Sequence, residues 1–189
     1  MQQRKDACYK LRQHLNNLPD TSEFIVAGDF NILKASEPAW EILTKDGNDK
    51  KGKLYVPNNK IGNWENNEVF SEVLTISTDH LNARFDFILT SENIIEDNNF
   101  NYVNTSYTTF GNDGNHFHKA ITDGENTSVS EHIAAELDTA SDHLPVFADF
   151  NLNYSTKENT IVALYKNSPN PFSPYTKIKF YLEKPAKVK

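Results

Sequence analysis

The sequence predicts an α/β chain of the α+β kind, and three observations predict it. A helical run near the N-terminus leads into a short apolar run that stops at a glycine. Two later stretches, 84–90 and 145–152, alternate as strands do. Between them lie long polar segments rich in Asn, Asp, Gly and Lys, which suit loops.

In chain order, residues 4–18 carry apolar side chains at Ala7, Leu11, Leu15 and Leu18. This is helical spacing, with Arg4, Lys5, Arg12 and Gln13 on the wet side. Pro19 and Asp20 end it. Phe24-Ile25-Val26-Ala27 is apolar on both faces and predicts a central, fully covered strand. Ser36 caps a short predicted helix with Pro38 in its first turn, continuing through Trp40, Ile42 and Leu43. Residues 46–68 are predicted as loop. In the strand over 84–90, Phe85, Phe87 and Leu89 share one face and Arg84, Asp86 and Ile88 the other. Asp86 needs a partner among such neighbours. Residues 104–130 are too long for an idle connection, and such loops are functional or disordered. A helix is predicted near 129–137, then a strand over 145–152. After Asn153 the composition changes. Residues 155–160 look like a linker, and the Pro-rich run from Asn167 to Pro174 leads to a strand-like 177–182.

The chain has 189 residues and a net charge of −7. That charge argues against a protein devoted to non-specific grip on nucleic acid, which rests on Lys and Arg. It leaves room for a nuclease, because a bound cation supplies positive charge locally. The single cysteine, Cys8, allows no intrachain disulfide and suits a small core position. No apolar run approaches the roughly 20 residues of a membrane span.

Three clusters carry candidate chemistry, each at a predicted strand end, where α/β folds place ligand-handling groups. The first is Gly28-Asp29-Phe30-Asn31. In extended geometry Asp29 and Asn31 point the same way and could hold a water and a phosphate oxygen; a turn with Asx hydrogen bonds is the alternative. The second is Asp86, which as a structural residue would pair with Arg84 or a backbone amide. The third is Ser141-Asp142-His143-Leu144-Pro145, where a metal ligand adjoins a proton-handling group; a structural His is the alternative.

The order GDFN, RFDFIL, SDHLPV across residues 28–150 resembles the endonuclease/exonuclease/phosphatase superfamily. That superfamily includes pancreatic-type deoxyribonucleases, abasic-site endonucleases, sphingomyelinases and inositol-polyphosphate phosphatases. The resemblance implies part of a two-sheet β-sandwich flanked by helices, spanning 1–153. It implies that Asp29 orients and helps deprotonate the attacking water and contributes to the metal site. Asn31 would contact the scissile phosphate, and Asp142 would bind magnesium or manganese. His143 would contact a phosphate oxygen and transfer a proton. Asp86 would hydrogen-bond His143, orienting it and favouring its charged form. A cation and an imidazolium against the developing negative charge lower the barrier.

The chain departs from the family in one respect. The family's metal-binding Glu lies well before GDFN, and only 28 residues precede Asp29 here. Neither Glu23 nor a neighbour has the right context. The expectation is therefore a domain whose N-terminal portion is missing, inactive as it stands and exposing an apolar sheet face or edge.

Asn167-Ser168-Pro169-Asn170-Pro171-Phe172 followed by 176–180 resembles the opening of a type IX secretion sorting domain, a small β-sandwich. The organisation expected is a linker at 154–165 and a truncated β-rich sorting module at 166–189. An exported, secreted or surface-held protein follows, with the type IX machinery as partner and the monomer as its form.

His116 and His118 could add a metal or substrate contact, but exposed loop histidines are the plainer reading. The 104–130 loop could line a substrate groove. His80 is expected to be structural. Trp40 and Trp64 could stack on bases but better suit packing. The function expected is metal-dependent phosphodiester hydrolysis by an extracellular nuclease acting on DNA or RNA. A sphingomyelinase-type phospholipase or a phosphatase shares the motifs. A lipid enzyme should carry an apolar membrane-contacting hairpin, and the sequence shows none. A non-catalytic surface binding module should have lost motif residues, and all five remain.

Overall fold

The computed structural model describes residues 2–46, 51–77, 80–95, 100–152, 162–164 and 180–182. It combines helices with small antiparallel sheets, and the chain divides into two compact units, Met1–Asn153 and Tyr154–Lys189.

The first helix, α1, spans Gln2–Asn16 and ends before Pro19. Its buried face differs from the one predicted. Cys8, Arg12 and Leu15 are buried, whereas Ala7 is exposed. Arg12 was expected in water. Instead its guanidinium donates to the carbonyls of Ile42, Leu43 and Lys45, which close the next helix. A long Arg stem can lie along apolar surface while its head meets the orphan carbonyls of a helix end. That helix, α2, spans Pro38–Thr44 with Pro38 in its first turn. Its N-cap is Glu37, not Ser36; the Glu37 carboxylate accepts from the backbone N–H of Leu33 at 2.8 Å.

Strand β1, Ile25–Asp29, pairs antiparallel with β2, Asp86–Thr90. β1 was predicted to be central and fully covered. Among the described residues only β2 pairs with it, and of its five residues only Val26 is even half-buried. Apolar composition therefore misjudged its surroundings: the core lies against one face, reached by Val26, and the other face and edge are open. By contrast β2 is well covered, with Phe87 and Leu89 fully buried.

The main core gathers α1, α2 and β2 around Trp40, Trp64 and Phe87. The two indoles meet edge-on at 4.7 Å between ring centroids, and each lies within about 5 Å of the Phe87 ring. Both tryptophans are thus packing residues. Residues 51–67 form turns around this core, and a 3-10 helix, Glu68–Val73, follows. A second cluster forms around Leu74, Leu81, Ile121, Ala134 and Leu144.

After the short α3, Glu92–Ile95, come β3, Phe100–Tyr102, and β4, Thr108–Thr109. Helix α4, Glu131–Ala140, starts at Ser130, whose hydroxyl accepts from the Ile133 N–H. The strand predicted over 145–152 is broken in two. β5, Val146–Phe147, pairs with β4, while β6, Phe150–Leu152, pairs with β3. Alternation was read correctly, but it says nothing about which neighbour each half finds.

In the second unit, β7, Val162–Leu164, pairs antiparallel with β8, Phe180–Leu182. β7 falls inside the 154–165 segment expected to be linker, so that segment contributes a strand. The Pro-rich run 167–174 and residues 177–179 of the predicted strand lie outside the described residues. No helix among the described residues is long and apolar enough to cross a membrane.

Candidate functional site

The site is built on the end of the β1–β2 pair. In the antiparallel register Asp29 lies directly opposite Asp86. Directly opposed residues project from the same face of a sheet. Two carboxylates are therefore set side by side on one face, an arrangement that like-charge repulsion disfavours unless cationic groups offset it. His143 stands beside this pair as a hydrogen-bond donor. Its Nδ1 lies 2.7 Å from Oδ2 of Asp86. Because a carboxylate accepts, Nδ1 carries the proton of this bond and Nε2 is the ring's second functional edge. The pairing is neither of those weighed for a structural Asp86. Arg84 turns away, donating to the Lys60 carbonyl at 2.9 Å and stacking 4.2 Å from the Phe87 ring centroid.

Residues 142–144 reach β2 through a layer of backbone and hydroxyl bonds. The Ser77 N–H donates to the Asp142 carbonyl at 2.9 Å, and Leu144 N–H to the Thr75 carbonyl at 2.7 Å. The Thr75 hydroxyl accepts from the N–H groups of Phe85 and Asp86. Fully buried Thr75 thus clamps the start of β2 to the segment that carries His143. Neither Thr75 nor Ser77 was singled out from the sequence. The apolar-polar alternation of Val73-Leu74-Thr75-Ile76-Ser77 marks this stretch as strand-like, and a buried hydroxyl there was its available signal. Asp142 is exposed beside His143.

Asp29 and Asn31 do not share an extended stretch as expected. Gly28 has φ +148°, which L side chains rarely adopt, and Asn31 sits in the left-handed region at φ +51°. The Asn31 N–H donates to Oδ1 of Asp29 at 2.7 Å, so the Asx-turn alternative is realised. The Asn31 side-chain oxygen accepts from Arg4 at 3.2 Å. Arg4 also pairs with Glu37 at 3.1 Å. With its carbonyl oxygen held by Arg4, Asn31 keeps its amide N–H groups for another acceptor.

Among the described residues no three His, Cys, Asp or Glu side chains converge as a metal-holding group. The chemistry of the donors nonetheless suits a hard divalent ion. Asp29 and Asp142 are exposed carboxylates on the segments that flank Asp86 and His143. Magnesium is commonly held by one or two carboxylates, with waters and substrate oxygens completing its shell.

The loop between β4 and α4 is ordered by a second Asp-His pair. His116 is 2% exposed, so it is not the exposed loop histidine that was the plainer reading. Its Nδ1 lies 2.7 Å from Asp113 Oδ1. The same carboxylate accepts from the N–H groups of Asn115 and Thr127 and from the Thr127 hydroxyl. A carboxylate with so many donors closes the loop locally, so this pair is read as a structural knot. His118 is exposed, with its ring 4.2 Å from that of Phe117. His80 is exposed at φ +116°.

Burial alone would push the Asp113 pKa up. The N–H groups of Thr127 and Asn115, together with His116, outweigh it and hold the carboxyl well below the usual range. A depressed folded-state pKa gives stability that is full above the unfolded value. It is lost as pH falls through the folded one. Asp113→Asn should therefore remove part of the acid dependence of stability below about pH 4. It should also cost about 1–3 kcal/mol near neutrality, because the His116 and backbone donors lose their charged acceptor. Urea titrations at stepped pH check both; equal acid sensitivity in the two proteins would show that Asp113 is not the group responsible.

Comparison with family models, with curated proteins and with solved structures returned no match for this chain.

Proposed function

We propose that the chain carries the catalytic end of a metal-dependent phosphodiesterase acting on nucleic acid. The observation that supports this best is the Asp86–His143 pair on the same sheet face as Asp29. The order GDFN, RFDFIL, SDHLPV gave Asp86 and His143 complementary roles, and the two side chains are 57 residues apart in the chain yet 2.7 Å apart in space. On this reading the first unit is part of a two-sheet sandwich, and the tail begins a type IX sorting module for export.

The chemistry follows from the groups present. Asp142 and Asp29 would hold a magnesium or manganese ion, which would supply positive charge against the phosphate oxygens. Asp29 orients the attacking water and accepts its proton. The Asn31 amide donates to a non-bridging oxygen of the scissile phosphate. His143, fixed through Nδ1 by Asp86, places Nε2 against the phosphate and moves a proton at that atom. As water oxygen bonds to phosphorus, the bond to the leaving oxygen breaks and that oxygen gains a proton.

The test has two arms. Plasmid DNA, RNA, sphingomyelin and a bis-aryl phosphodiester are assayed with magnesium or manganese against chelator, using this chain and one carrying upstream sequence. Manganese is also titrated into the chain while NMR signals of Asp29 and Asp142 are followed. Chelator-sensitive cleavage of nucleic acid by the chain carrying upstream sequence and not by this one, with selective broadening lost in Asp142→Ala, is the expected result. Absence of both cleavage and broadening would sink the reading and favour a binding module. Preference for sphingomyelin would move the assignment to the phospholipase alternative.

A further inference from the structure

We propose that the cavity between the 57–60 turn and the β3–β4 segment is a nucleobase pocket, taking one unpaired base of the substrate. The inference rests on the phosphodiesterase reading above and narrows it to single-stranded or unstacked nucleic acid.

The cavity measures about 440 Å³, within the range of small-molecule sites. Its wall is lined by Asn58, Asn59, Asn104, Tyr102, Tyr107 and Thr109. Its Lys60 and Glu72 are paired with each other. The lining is thus neutral, rich in groups that both donate and accept, and partly aromatic. A phosphate would find no uncommitted cation in this wall. A base edge suits amides, which pair bidentately with its donors and acceptors, and a base face suits tyrosine rings.

Two further observations mark the cavity as more than a packing gap. Thr109 is 3% exposed, and its hydroxyl has no hydrogen-bond partner. A buried polar group without a partner is costly, and because Thr109 lines the cavity, a turn of its side chain toward a bound ligand would satisfy the hydroxyl. Asn59 and Thr105, both in the wall, hold φ of +52° and +69°. Positive φ is a genuine outlier for β-branched Thr, and such strain persists where the surroundings enforce it. The tyrosine hydroxyls are already engaged: Tyr102 accepts from the Tyr107 N–H, and Tyr107 from the Ile88 N–H. The rings are partly engaged as well, Tyr107 with the Arg84 guanidinium at 5.1 Å and Tyr102 with Phe150 at 6.0 Å, so the tyrosines offer a ligand their remaining ring surface.

The wall is also continuous with the catalytic segments. Tyr107 holds Ile88 of β2, two residues past Asp86. Thr109 pairs with Val146, three residues past His143. Val73 lies two residues before Thr75, which clamps Asp86. A base inside a duplex cannot enter such a pocket; an unpaired or extruded one can.

The full chain is titrated with adenosine, guanosine, cytidine, uridine and thymidine, and separately with ribose and with inorganic phosphate. Binding is followed by NMR at the Thr108, Thr109 and Asn104 backbone signals. At least one nucleoside should give saturable shifts at these positions, ribose and phosphate should not, and Thr109→Val should weaken binding by about tenfold or more. Valine keeps the shape of threonine, so the fold is retained; Asn104→Ala, at an exposed position, is a second variant expected to weaken binding. His143→Ala should bind nucleosides as the parent does, which separates this inference from the hydrolytic one. No saturable shift with any nucleoside, equal shifts with ribose or phosphate, or unchanged affinity in both cavity variants overturns the proposal. Nucleoside binding without hydrolysis would leave the pocket standing and remove the phosphodiesterase reading alone.

Discussion

On the phosphodiesterase reading, His143→Ala in the chain carrying upstream sequence should lower metal-dependent cleavage by about 10²–10⁴-fold, the usual contribution of a positioned proton-transfer group. The loss should appear in kcat, because in the proposed role the ring would meet charge that develops in the transition state. Asp86→Asn should fall in the same direction with little change in KM. An amide can still contact Nδ1, but it no longer offers a charged acceptor to fix the ring and its tautomer. The double variant should be scarcely worse than His143→Ala alone, because Asp86 acts through His143 and the pair is a single unit. A single-turnover assay with excess protein checks all three. Additive losses in the double variant would mean that Asp86 works elsewhere, for example on the metal.

Phe87→Ala should cost about 3–5 kcal/mol, the range for emptying a buried aromatic position. Phe87 is fully buried, touches Trp40, Trp64 and Phe30, and supports the Arg84 guanidinium on its face. Its loss opens a cavity at the meeting of two rigid indoles and leaves the buried Arg84 cation only the more distant Tyr107 ring, 5.1 Å away. That cation is already costly: two of its guanidinium nitrogens have no hydrogen-bond partner, and burial lowers its pKa from the usual value. Urea unfolding followed by tryptophan fluorescence reads the loss directly, since both tryptophans belong to this cluster. A change below about 1 kcal/mol would mean that the aromatic cluster relaxes around the gap and does not hold β2 in place.

Phe87 also links stability to the site. It lies next to Asp86 in β2, with Phe30 of the GDFN turn edge-on to it at 5.9 Å. Asp29, Asn31 and Asp86 therefore stand on a rigid base, while the groups they offer remain on an open face. This division is typical of sites in which a packed layer fixes geometry and polar groups at its rim do the chemistry.

Residue order and local pattern were sufficient for much of this. Helix α2 is marked by Pro38 and its apolar face, β2 by its alternation, and α4 by its stretch of chain. The five candidate residues stood out as short clusters at predicted strand ends, while the Asp86–His143 partnership followed only from the family resemblance. What the sequence could not supply is what depends on neighbours distant in the chain. An apolar run such as 24–27 states that burial is tolerated, not that a second strand is there to provide it, and β1 proved open. Arg12 is polar by type, yet three carbonyls at the end of α2 make a buried place for it. The 145–152 stretch alternates correctly, but only tertiary pairing decides that its halves join different strands. The same holds for Thr75, the clamp on Asp86, and for His116, which becomes a buried knot because Asp113 and Thr127 close around it. Local pattern picked out the candidate residues. Long-range hydrogen bonding and packing, which no local pattern encodes, decided which face they share and what holds them there.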